Sequence, residues 1–301
     1  MLRVVVFDVS NGNCALAVDV HGHSLMLDCG SHLDKPCPVD RILELRRPGN
    51  WLGHMRDFVS KNGVRYPLTK LSVSHPDLDH IKNAEKVHSE LKPYLLHRRY
   101  LEDFPSQLLA TNDPSFGSYK KRLCDRYRHS VSENPDWGFR QTCYSIPTKD
   151  LTNDKRFADS SFKNNSSYVY MIEYVGHKFL FSGDLEEVGW EWLLENNPKF
   201  LEDISSGVSV LIASHHGHRS GYSQSLMNVM GSPILSVLSK GTERGDGTDV
   251  DSRYSLHSDG MLVKNLAKDR HEEKYTLTTR SNGSLYFEVD AKGYLSAYSQ
   301  R

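Results

Sequence analysis

A chain of 301 residues, 38% of them hydrophobic and 25% charged, has the composition of a globular protein with one large core or two modest ones. A net charge of −1 excludes a general attraction to nucleic acid or membrane, so any basic surface must be local. No apolar run approaches the roughly 20 residues of a membrane span, and five cysteines without a C-x-x-C pair indicate reduced thiols in a cytoplasmic protein.

The first thirty residues alternate between short apolar segments and turns. They predict three strands, from Arg3 to Val9, from Cys14 to Val20 and from Ser24 to Asp28. This pattern is typical of an antiparallel meander, and it favours an opening strand over a signal peptide. Residues 38–63 carry apolar side chains at helical spacing and predict a helical region that a Pro-Gly pair divides in two.

The segment 74–80 is the strongest chemical signal in the chain. It reads Ser-His-Pro-Asp-Leu-Asp-His and follows an apolar stretch that predicts a short buried strand. Polar loops at strand ends are where layered α/β proteins usually carry their active sites. The pattern therefore favours metal-assisted hydrolysis over a chance surface cluster. The candidate ligands, which fall within six residues, are His75, Asp77, Asp79 and His80.

The second half of the chain contains further strands that end in polar loops. After an irregular region at 82–157, one strand pair leads to Asp184, and a later strand runs into His215 and His216. The remaining predictions are a strand from Ile234 to Leu238, a loop at 241–257, a helix from Met261 to Lys268, and a closing hairpin of Tyr275 to Thr279 with Ser284 to Val289. The strands and helix around Asp184 are predicted at Tyr168 to Tyr174, Lys178 to Ser182, Glu186 to about Asn196, and Val208 to Ala213.

Together the three loops offer enough ligands for two divalent metal ions and a shared water. Asp184 is the natural bridge, because the two oxygens of one carboxylate can bind two cations. Taken alone, Asp184 could be explained simply as a cap of the following helix. The histidine pair, taken alone, could mark the start of a helix. The element order predicts an α+β fold in which two mostly antiparallel sheets, each with helices on one face, pack as a four-layer αββα sandwich.

These motifs together resemble the metallo-β-lactamase superfamily of hydrolases, and more closely the soluble hydrolase domain of ComEC-type DNA-uptake proteins. The resemblance is weakest at 82–157, and it implies a single hydrolase domain over residues 1–301 with an irregular insertion at about 82–157. The similar segments are Phe7 to Cys14, Leu27 to Gly30, Ser74 to Ile81, Asn164 to Ser167, Ser182 to Glu186, His215 to His218 and Thr279 to Leu285.

The resemblance also implies how the ligands divide between two metal ions. It assigns His75 and Asp77 to one ion. It assigns the other ion to Asp79, His80 and His215, with Asp184 as the bridge. His216 would face the substrate or support the ligands, and the expected catalytic residues are Asp79, Asp184 and His216. The expected substrate-binding residues are Lys82, Asn165, His218 and His257.

The chain departs from the wider superfamily at two ligand positions. Asp77 stands where a histidine is usual, and Asn164, Asn165 and Ser166 stand where another histidine is usual. Because harder oxygen donors favour Mn²⁺ or Mg²⁺ over Zn²⁺, we expect two divalent ions, Mn²⁺ or Zn²⁺, with Mn²⁺ preferred. The alternative is a tightly bound ion at Asp79, His80 and His215 and a loosely bound one at His75 and Asp77.

Three functions remain open from the sequence. The first is a phosphodiesterase or nuclease acting on DNA or RNA through a water activated by two metal ions. The second is a hydrolase of a small phosphoester, cyclic nucleotide or lactone, and the third is an effector subunit that keeps the fold and acts through a protein partner or as a homodimer. Ten Lys/Arg against six Asp/Glu at 82–130, with aromatics between them, suit single-stranded nucleic acid. A solvated helix face over core aromatics explains the same pattern equally well.

Overall fold

Two β-sheets packed face to face form the centre of the protein. The computed structural model describes residues 1–31, 37–100, 104, 114–124, 134–157, 162–241 and 251–301. The strands are β1 (Leu2–Val6), β2 (Ala15–Val18), β3 (Ser24–Leu27), β4 (Phe58–Val59), β5 (Arg65–Tyr66), β6 (Lys70–Ser72), β7 (Leu95–His97), β8 (Arg140–Tyr144), β9 (Val169–Tyr174), β10 (His177–Phe181), β11 (Val210–Ile212), β12 (Leu235–Leu238), β13 (Met261–Asn265), β14 (Arg270–Lys274), β15 (Thr276–Thr278), β16 (Leu285–Val289) and β17 (Leu295–Ser299).

Short helices cover the outer faces of the sheets. The α-helices are α1 (Pro38–Leu45), α2 (Leu78–Ile81), α3 (Ala84–Lys86), α4 (Pro114–Tyr119), α5 (Thr148–Asn153), α6 (Phe162–Asn165), α7 (Glu187–Asn196), α8 (Pro198–Ser205), α9 (Gln224–Met230), α10 (Asp251–Leu256) and α11 (Thr279–Asn282). Turns of 3-10 helix lie at Lys155–Phe157, Ser214–Gly217 and Arg219–Gly221, and π-helical turns at Val87–Leu91 and Lys120–Cys124. Among the described residues, no helix is both long and apolar enough to cross a bilayer.

In the described part of the chain, one sheet has nine strands and the other has six. Their orders are β14-β13-β17-β16-β1-β2-β3-β6-β7 and β15-β12-β11-β10-β9-β8. The predicted meander is confirmed, since β1, β2 and β3 pair antiparallel. The smaller sheet is parallel from β15 to β10 and antiparallel from β10 to β8. The expectation of a mostly antiparallel sheet is therefore wrong for this half of the sandwich.

The alternation of side chains along β1 shows why the two sheets pack as they do. Leu2, Val4 and Val6 are buried between the sheets, whereas Val5 is buried on the opposite face, against the helices. A strand buried on both faces is apolar along most of its length, as β1 is apart from Arg3. Between the sheets, Phe179 of β10 meets Phe287 of β16 edge to face, with ring centroids 5.9 Å apart. The predicted α+β sandwich, with sheets flanked by helices, is confirmed.

Several predicted elements are wrong, and tertiary pairing explains most of them. The helical region predicted at 38–63 ends at Leu45, and residues 58–66 form the β4-β5 hairpin instead. The helix predicted from Met261 to Lys268 is strand β13, held between β14 and β17. The predicted closing hairpin does not form, because β15 pairs with β12 in one sheet while β16 pairs with β1 in the other.

The C-terminal strands therefore complete the sheet that the N-terminus begins, and the two sheets do not correspond to two halves of the chain. Of the loop predicted at 241–257, residues 242–250 lie outside the described residues, and α10 occupies its end. The loops that follow β3, β6, β10, β11 and β12 meet at one edge of the sandwich. Because β3 runs parallel to β6, and β10 to β12 are mutually parallel, their carboxyl ends collect the polar side chains there.

Candidate metal centre

Asp184 is the centre of the polar cluster at this edge. It follows β10 and is buried, with 3% of its surface exposed. Four histidines turn their Nε2 atoms toward its carboxylate. The distances from Nε2 to the nearer Asp184 oxygen are 3.1 Å for His80, 3.6 Å for His216, 3.9 Å for His75 and 4.0 Å for His215.

Two of these rings are oriented from behind by oxygen acceptors. Nδ1 of His80 lies 2.8 Å from Oδ2 of Asp28, and Nδ1 of His216 lies 3.1 Å from the carbonyl oxygen of Ser239. A ring that donates from Nδ1 carries an unprotonated Nε2, which is the form that ligates a metal ion. Nε2 of His216 also lies 3.1 Å from Oδ2 of Asp79.

The histidine pair sits on an unusual backbone. His215 has φ 50° and His216 has φ 56°, so two consecutive non-glycine residues are left-handed. Such conformations are costly and cluster at functional sites. The turn is held by His215 N, which donates to the Gly183 carbonyl at 3.1 Å, and by the Ser214 hydroxyl, which donates to the Leu185 carbonyl at 2.5 Å. As a result the two rings diverge, and only His216 contacts Asp79.

The first part of the predicted ligand motif is also brought to Asp184. His75 lies 3.6 Å, through Nε2, from Oδ2 of Asp77, and its Nδ1 lies near the hydroxyls of Ser74 and Ser167, at 3.1 and 3.3 Å. Oδ1 of Asp77 lies 2.5 Å from Nζ of Lys163. Burial acts to raise the pKa of Asp77, but His75 and Lys163 together hold it below its usual range.

The residues present fit a metal ion on one side of Asp184. Ligand atoms of Asp79, His80, Asp184 and His216 all lie within 4.8 Å of one another. Nε2 of His80 and Oδ1 of Asp184 are buried and have no hydrogen-bond partner among the described residues; the same holds for Nε2 of His75 on the other side of Asp184. Buried polar atoms are nearly always paired, so atoms left unpaired around one point indicate a place for a cation. Two imidazoles and two carboxylates suit Zn²⁺ or Mn²⁺.

The charges in the cluster also favour the binding of a cation. Burial acts to lower the pKa of His80, but the carboxylates of Asp184, Asp28 and Asp79 raise it well above its usual value. Burial likewise acts to raise the pKa of Asp184, but His80 and His216 hold it well below its usual range. Three carboxylates around His80 therefore create a strongly negative pocket that attracts positive charge.

Two glycines permit the close packing of the ligand loops. A Cβ on Gly30 would lie 1.3 Å from the carbonyl oxygen of Asp79, so the ligand loop rests directly on this residue. Gly183 has φ +55°, and a Cβ there would meet the side chains of Ser74 and Ser167 at 2.9 and 3.0 Å. Gly30 follows Asp28 by two residues, and Gly183 directly precedes the candidate bridge Asp184.

The predicted substrate-binding residues fall in different places. Lys82 is the C-cap residue of α2, the helix that carries Asp79 and His80, and it is half-buried. Asn165 is fully buried, and its side-chain amide pairs with Glu186. His218 lies beside His215, with ring centroids 5.0 Å apart. His257 is near Gln224, 3.5 Å away, and near the Tyr222 ring, 6.3 Å away.

The basic aromatic segment is largely structural where it is described. Arg99 is buried, and its guanidinium donates to the carbonyls of Ser166 and Ile146 at 2.6 and 2.7 Å. Tyr94 stacks on Phe58 with centroids 4.4 Å apart, and the side chains of Phe104 and Tyr119 are buried. Tyr100, which is 60% exposed beneath the Arg98 guanidinium, is an exception. Residues 101–103, 105–113 and 125–130 of the segment lie outside the described residues.

Sequence reasoning assigned no role to three residues that hold the ligands. Asp28 orients His80, Ser74 donates its hydroxyl to Asp28 at 2.8 Å, and Ser167 accepts the backbone N–H of Asp184 at 3.1 Å. Each of them stands in a motif that the sequence displays. The signal was a carboxylate or hydroxyl at a strand end beside a candidate ligand, which is where such support is needed.

The chain matches the metallo-beta-lactamase superfamily over residues 7–234. ComE operon protein 3 of Bacillus subtilis (strain 168) is 23% identical over 246 residues, which are 80% of this chain and 27% of that protein, so the chain spans about a quarter of its relative. Similar solved structures include the metallo-beta-lactamase fold protein YhfI from Bacillus subtilis, with 14% identity, a TM-score of 0.40, and coverage of 81% of this chain and 88% of that one. Zinc-bound PqqB from Methylobacterium extorquens has 12% identity, a TM-score of 0.43, and coverage of 86% and 92%.

Proposed function

Because the chain belongs to the metallo-beta-lactamase superfamily, we propose that it is a metal-dependent phosphodiesterase or nuclease acting on DNA or RNA. The observation that carries the hydrolytic part is the convergence of four ligand atoms within 4.8 Å, two of them buried and without a hydrogen-bond partner among the described residues. The principal metal ligands are Asp79, His80, Asp184 and His216.

A divalent ion held there would polarise the scissile phosphoryl or carbonyl group and lower the pKa of a water molecule. The residues around it have separate tasks. Asp28 fixes the His80 ring, and the backbone of Ser239 fixes His216. His215 and His218 lie next to each other beyond the ligands and are positioned to donate a proton to the leaving group. Mn²⁺ is the preferred ion, because carboxylates supply half of the principal donors.

Phosphodiester specificity is supported by the motif resemblance and by lysines on the segments that carry or contact the ligands. Lys82 caps the helix that carries Asp79 and His80. Lys163 reaches Asp77, and Lys240 is buried beneath the histidine loop, with its Cε 3.2 Å from where a Cβ on Gly217 would lie. Fixed positive charges around a metal ion suit the anionic oxygens of a phosphodiester. They serve a neutral lactone or lactam less well.

One observation favours a small phosphoester or cyclic nucleotide as the second candidate substrate. Among the aromatic side chains of residues 82–130 that the structure describes, Tyr94, Phe104 and Tyr119 pack against other residues, and Tyr100 is exposed. Nonspecific binding of single strands usually relies on several exposed rings, on which successive bases stack. A small phosphodiester needs no such surface.

The test is hydrolysis by metal-stripped protein that is resupplied with Mn²⁺, Mg²⁺ or Zn²⁺ in turn. The substrates are bis-p-nitrophenyl phosphate, fluorescent single-stranded DNA and RNA, a cyclic nucleotide and a β-lactam. We expect Mn²⁺-dependent cleavage of the phosphodiesters, and loss of cleavage in Asp79→Ala. The matched control is Asp259→Ala, which changes an exposed aspartate outside the cluster.

Each result leads to a different conclusion. Cleavage of the small diesters without cleavage of DNA or RNA would move the assignment to the second candidate. Metal-loaded protein that hydrolyses none of the substrates would contradict the enzymatic proposal and favour an effector subunit that needs a partner. Full activity of Asp184→Asn with normal metal content would show that Asp184 does not hold the metal.

A further inference from the structure

The two sides of the Asp184 carboxylate are unequal. One side carries the complete cluster of Asp79, His80 and His216 around Asp184. The other side carries His75 and Asp77, whose Nε2 and Oδ2 atoms lie 3.6 Å apart. A cationic side chain already occupies this second side, because Nζ of Lys163 lies 2.5 Å from Oδ1 of Asp77.

Lys163 belongs to helix α6. It directly precedes Asn164, Asn165 and Ser166, the neutral residues that stand where the wider superfamily usually has a histidine. The side-chain amides of the two asparagines pair with Glu186. Nδ2 of Asn164 donates to Oε1 of Glu186 at 3.1 Å, and Nδ2 of Asn165 donates to Oε2 of Glu186 at 3.3 Å. The backbone N–H of Glu186 donates in return to Oδ1 of Asn165 at 3.2 Å. The segment therefore presents an ammonium group to the second side of the centre, and its amides serve the Glu186 contact.

We propose that the Lys163 ammonium takes the place of a second divalent cation, so that the protein binds one divalent ion tightly, in the cluster of Asp79, His80, Asp184 and His216. The inference rests on the metal site proposed above. A protonated lysine has three donors and no acceptor, so it cannot ligate a metal ion. It does neutralise Asp77, which removes a charge that a second ion would need.

A second divalent ion at Asp77 would have to displace the ammonium or lie beside it. Like charges a few ångströms apart repel strongly when water is partly excluded, and both side chains here are 23% exposed. The lysine also serves the proposed reaction. Its ammonium is covalently attached and partly open to solvent, so it can contact a nonbridging phosphate oxygen from the side opposite the metal ion.

Metal stoichiometry tests this proposal without any substrate. Metal-stripped protein is loaded with excess Mn²⁺ or Zn²⁺, passed through a desalting column and measured by elemental analysis and titration calorimetry. The variant is Lys163→Met, which keeps an unbranched stem of four heavy atoms and removes the ammonium group. Lys163→Arg keeps the charge, and Lys155→Met removes an exposed lysine elsewhere.

We expect about one equivalent of metal in the wild type, in Lys163→Arg and in Lys155→Met. In Lys163→Met we expect a second equivalent, bound at least tenfold more tightly than any second ion in the wild type. Electron paramagnetic resonance of the Mn²⁺ forms should show an isolated ion in the wild type and a spin-coupled pair in Lys163→Met.

Two equivalents of comparable affinity in the wild type would overturn the proposal, and this result does not depend on any variant folding. A folded Lys163→Met protein that still binds one ion would also overturn it. The number of bound metal ions is measured without any substrate. If the phosphodiesterase assignment were wrong, the protein would therefore still bind one ion but would hydrolyse no phosphodiester.

Discussion

Asp28 and His80 act as one unit, since Oδ2 of the carboxylate lies 2.8 Å from Nδ1 of the ring. Asp28 is itself fixed, because its Oδ1 accepts the backbone N–H of Ser74 at 2.7 Å. It also has φ 57°, a left-handed conformation that turns the chain at the end of β3. The end of one strand thus determines the tautomer of a ligand that follows another strand.

Asp28→Asn should weaken metal binding about 10- to 100-fold, the range found for residues that support metal ligands. The asparagine keeps an oxygen for Ser74 N–H but places an NH₂ group, a donor, against Nδ1 of His80. The ring proton then moves to Nε2, which faces Asp184. Chelator competition measures the affinity, with Asp259→Asn as the surface control. Unchanged affinity would show that the Asp28 charge has no part in ligation.

The two histidines of the left-handed turn should differ in what their removal does. His216→Ala should reduce metal affinity more than about 100-fold, above the range for supporting residues, because Nε2 of His216 contacts both Asp79 and Asp184. His215→Ala should change metal affinity less than about threefold and lower turnover instead, since a proton donor contributes about 10²–10⁴-fold to rate. Metal content and turnover are measured on the same preparations. If His215→Ala instead lost the metal and His216→Ala lost only turnover, His215 would be the metal ligand, as the sequence resemblance implied.

Gly30→Ala should displace the ligand loop. The added Cβ would lie 1.3 Å from the Asp79 carbonyl oxygen, and backbone there cannot yield as a flexible side chain would. Overpacking of this kind costs about 1–3 kcal/mol of unfolding free energy and sometimes more, and metal affinity should fall with it. Gly117→Ala is the control, because nothing lies within 4 Å of a Cβ at that exposed helical position. Equal unfolding midpoints in urea for the two variants would contradict the prediction.

Much of the fold followed from local pattern, and the errors have a common physical cause. The meander and the strands around Asp184 were predictable because short apolar segments are separated there by clear turns. Strands β13 and β14 were not, because β14 is largely exposed and carries mostly charged residues, which gives no buried face to read. The pairing of β15 with β12 joins segments about forty residues apart and leaves no trace in local periodicity.

The residues of the candidate site were likewise only partly predictable from the sequence. Residue types and their positions after strands singled out His75, Asp79, His80 and Asp184, and the structure brings all four together. Which member of the His215–His216 pair faces Asp79 depends on two left-handed residues, and no spacing rule gives that. The Lys163 contact was equally hidden, because it depends on the direction in which one turn of α6 points.

His97 should make the protein less stable in mild acid, independently of the metal. Burial, with further effects from Lys70 and Arg99, lowers the pKa of His97 to about 4, from an ordinary value of 6.5. The ring packs against Tyr168 with centroids 4.4 Å apart and lies by the hydroxyl of Tyr170. Because the folded pKa is below the unfolded one, the unfolded chain binds the proton first, and stability is lost as pH falls from about 6.5 to about 4.

At pH 5 this linkage amounts to about 2 kcal/mol of unfolding free energy, from 1.36 kcal/mol per pKa unit over the 1.5 units below 6.5. Urea denaturation of the wild type and His97→Gln between pH 4 and pH 7, both in chelator, isolates this contribution. The glutamine does not titrate, so its stability should fall about 2 kcal/mol less than that of the wild type between pH 7 and pH 5. Parallel pH profiles for the two proteins would mean that His97 is protonated equally in the folded and unfolded states, and that its burial carries no such cost.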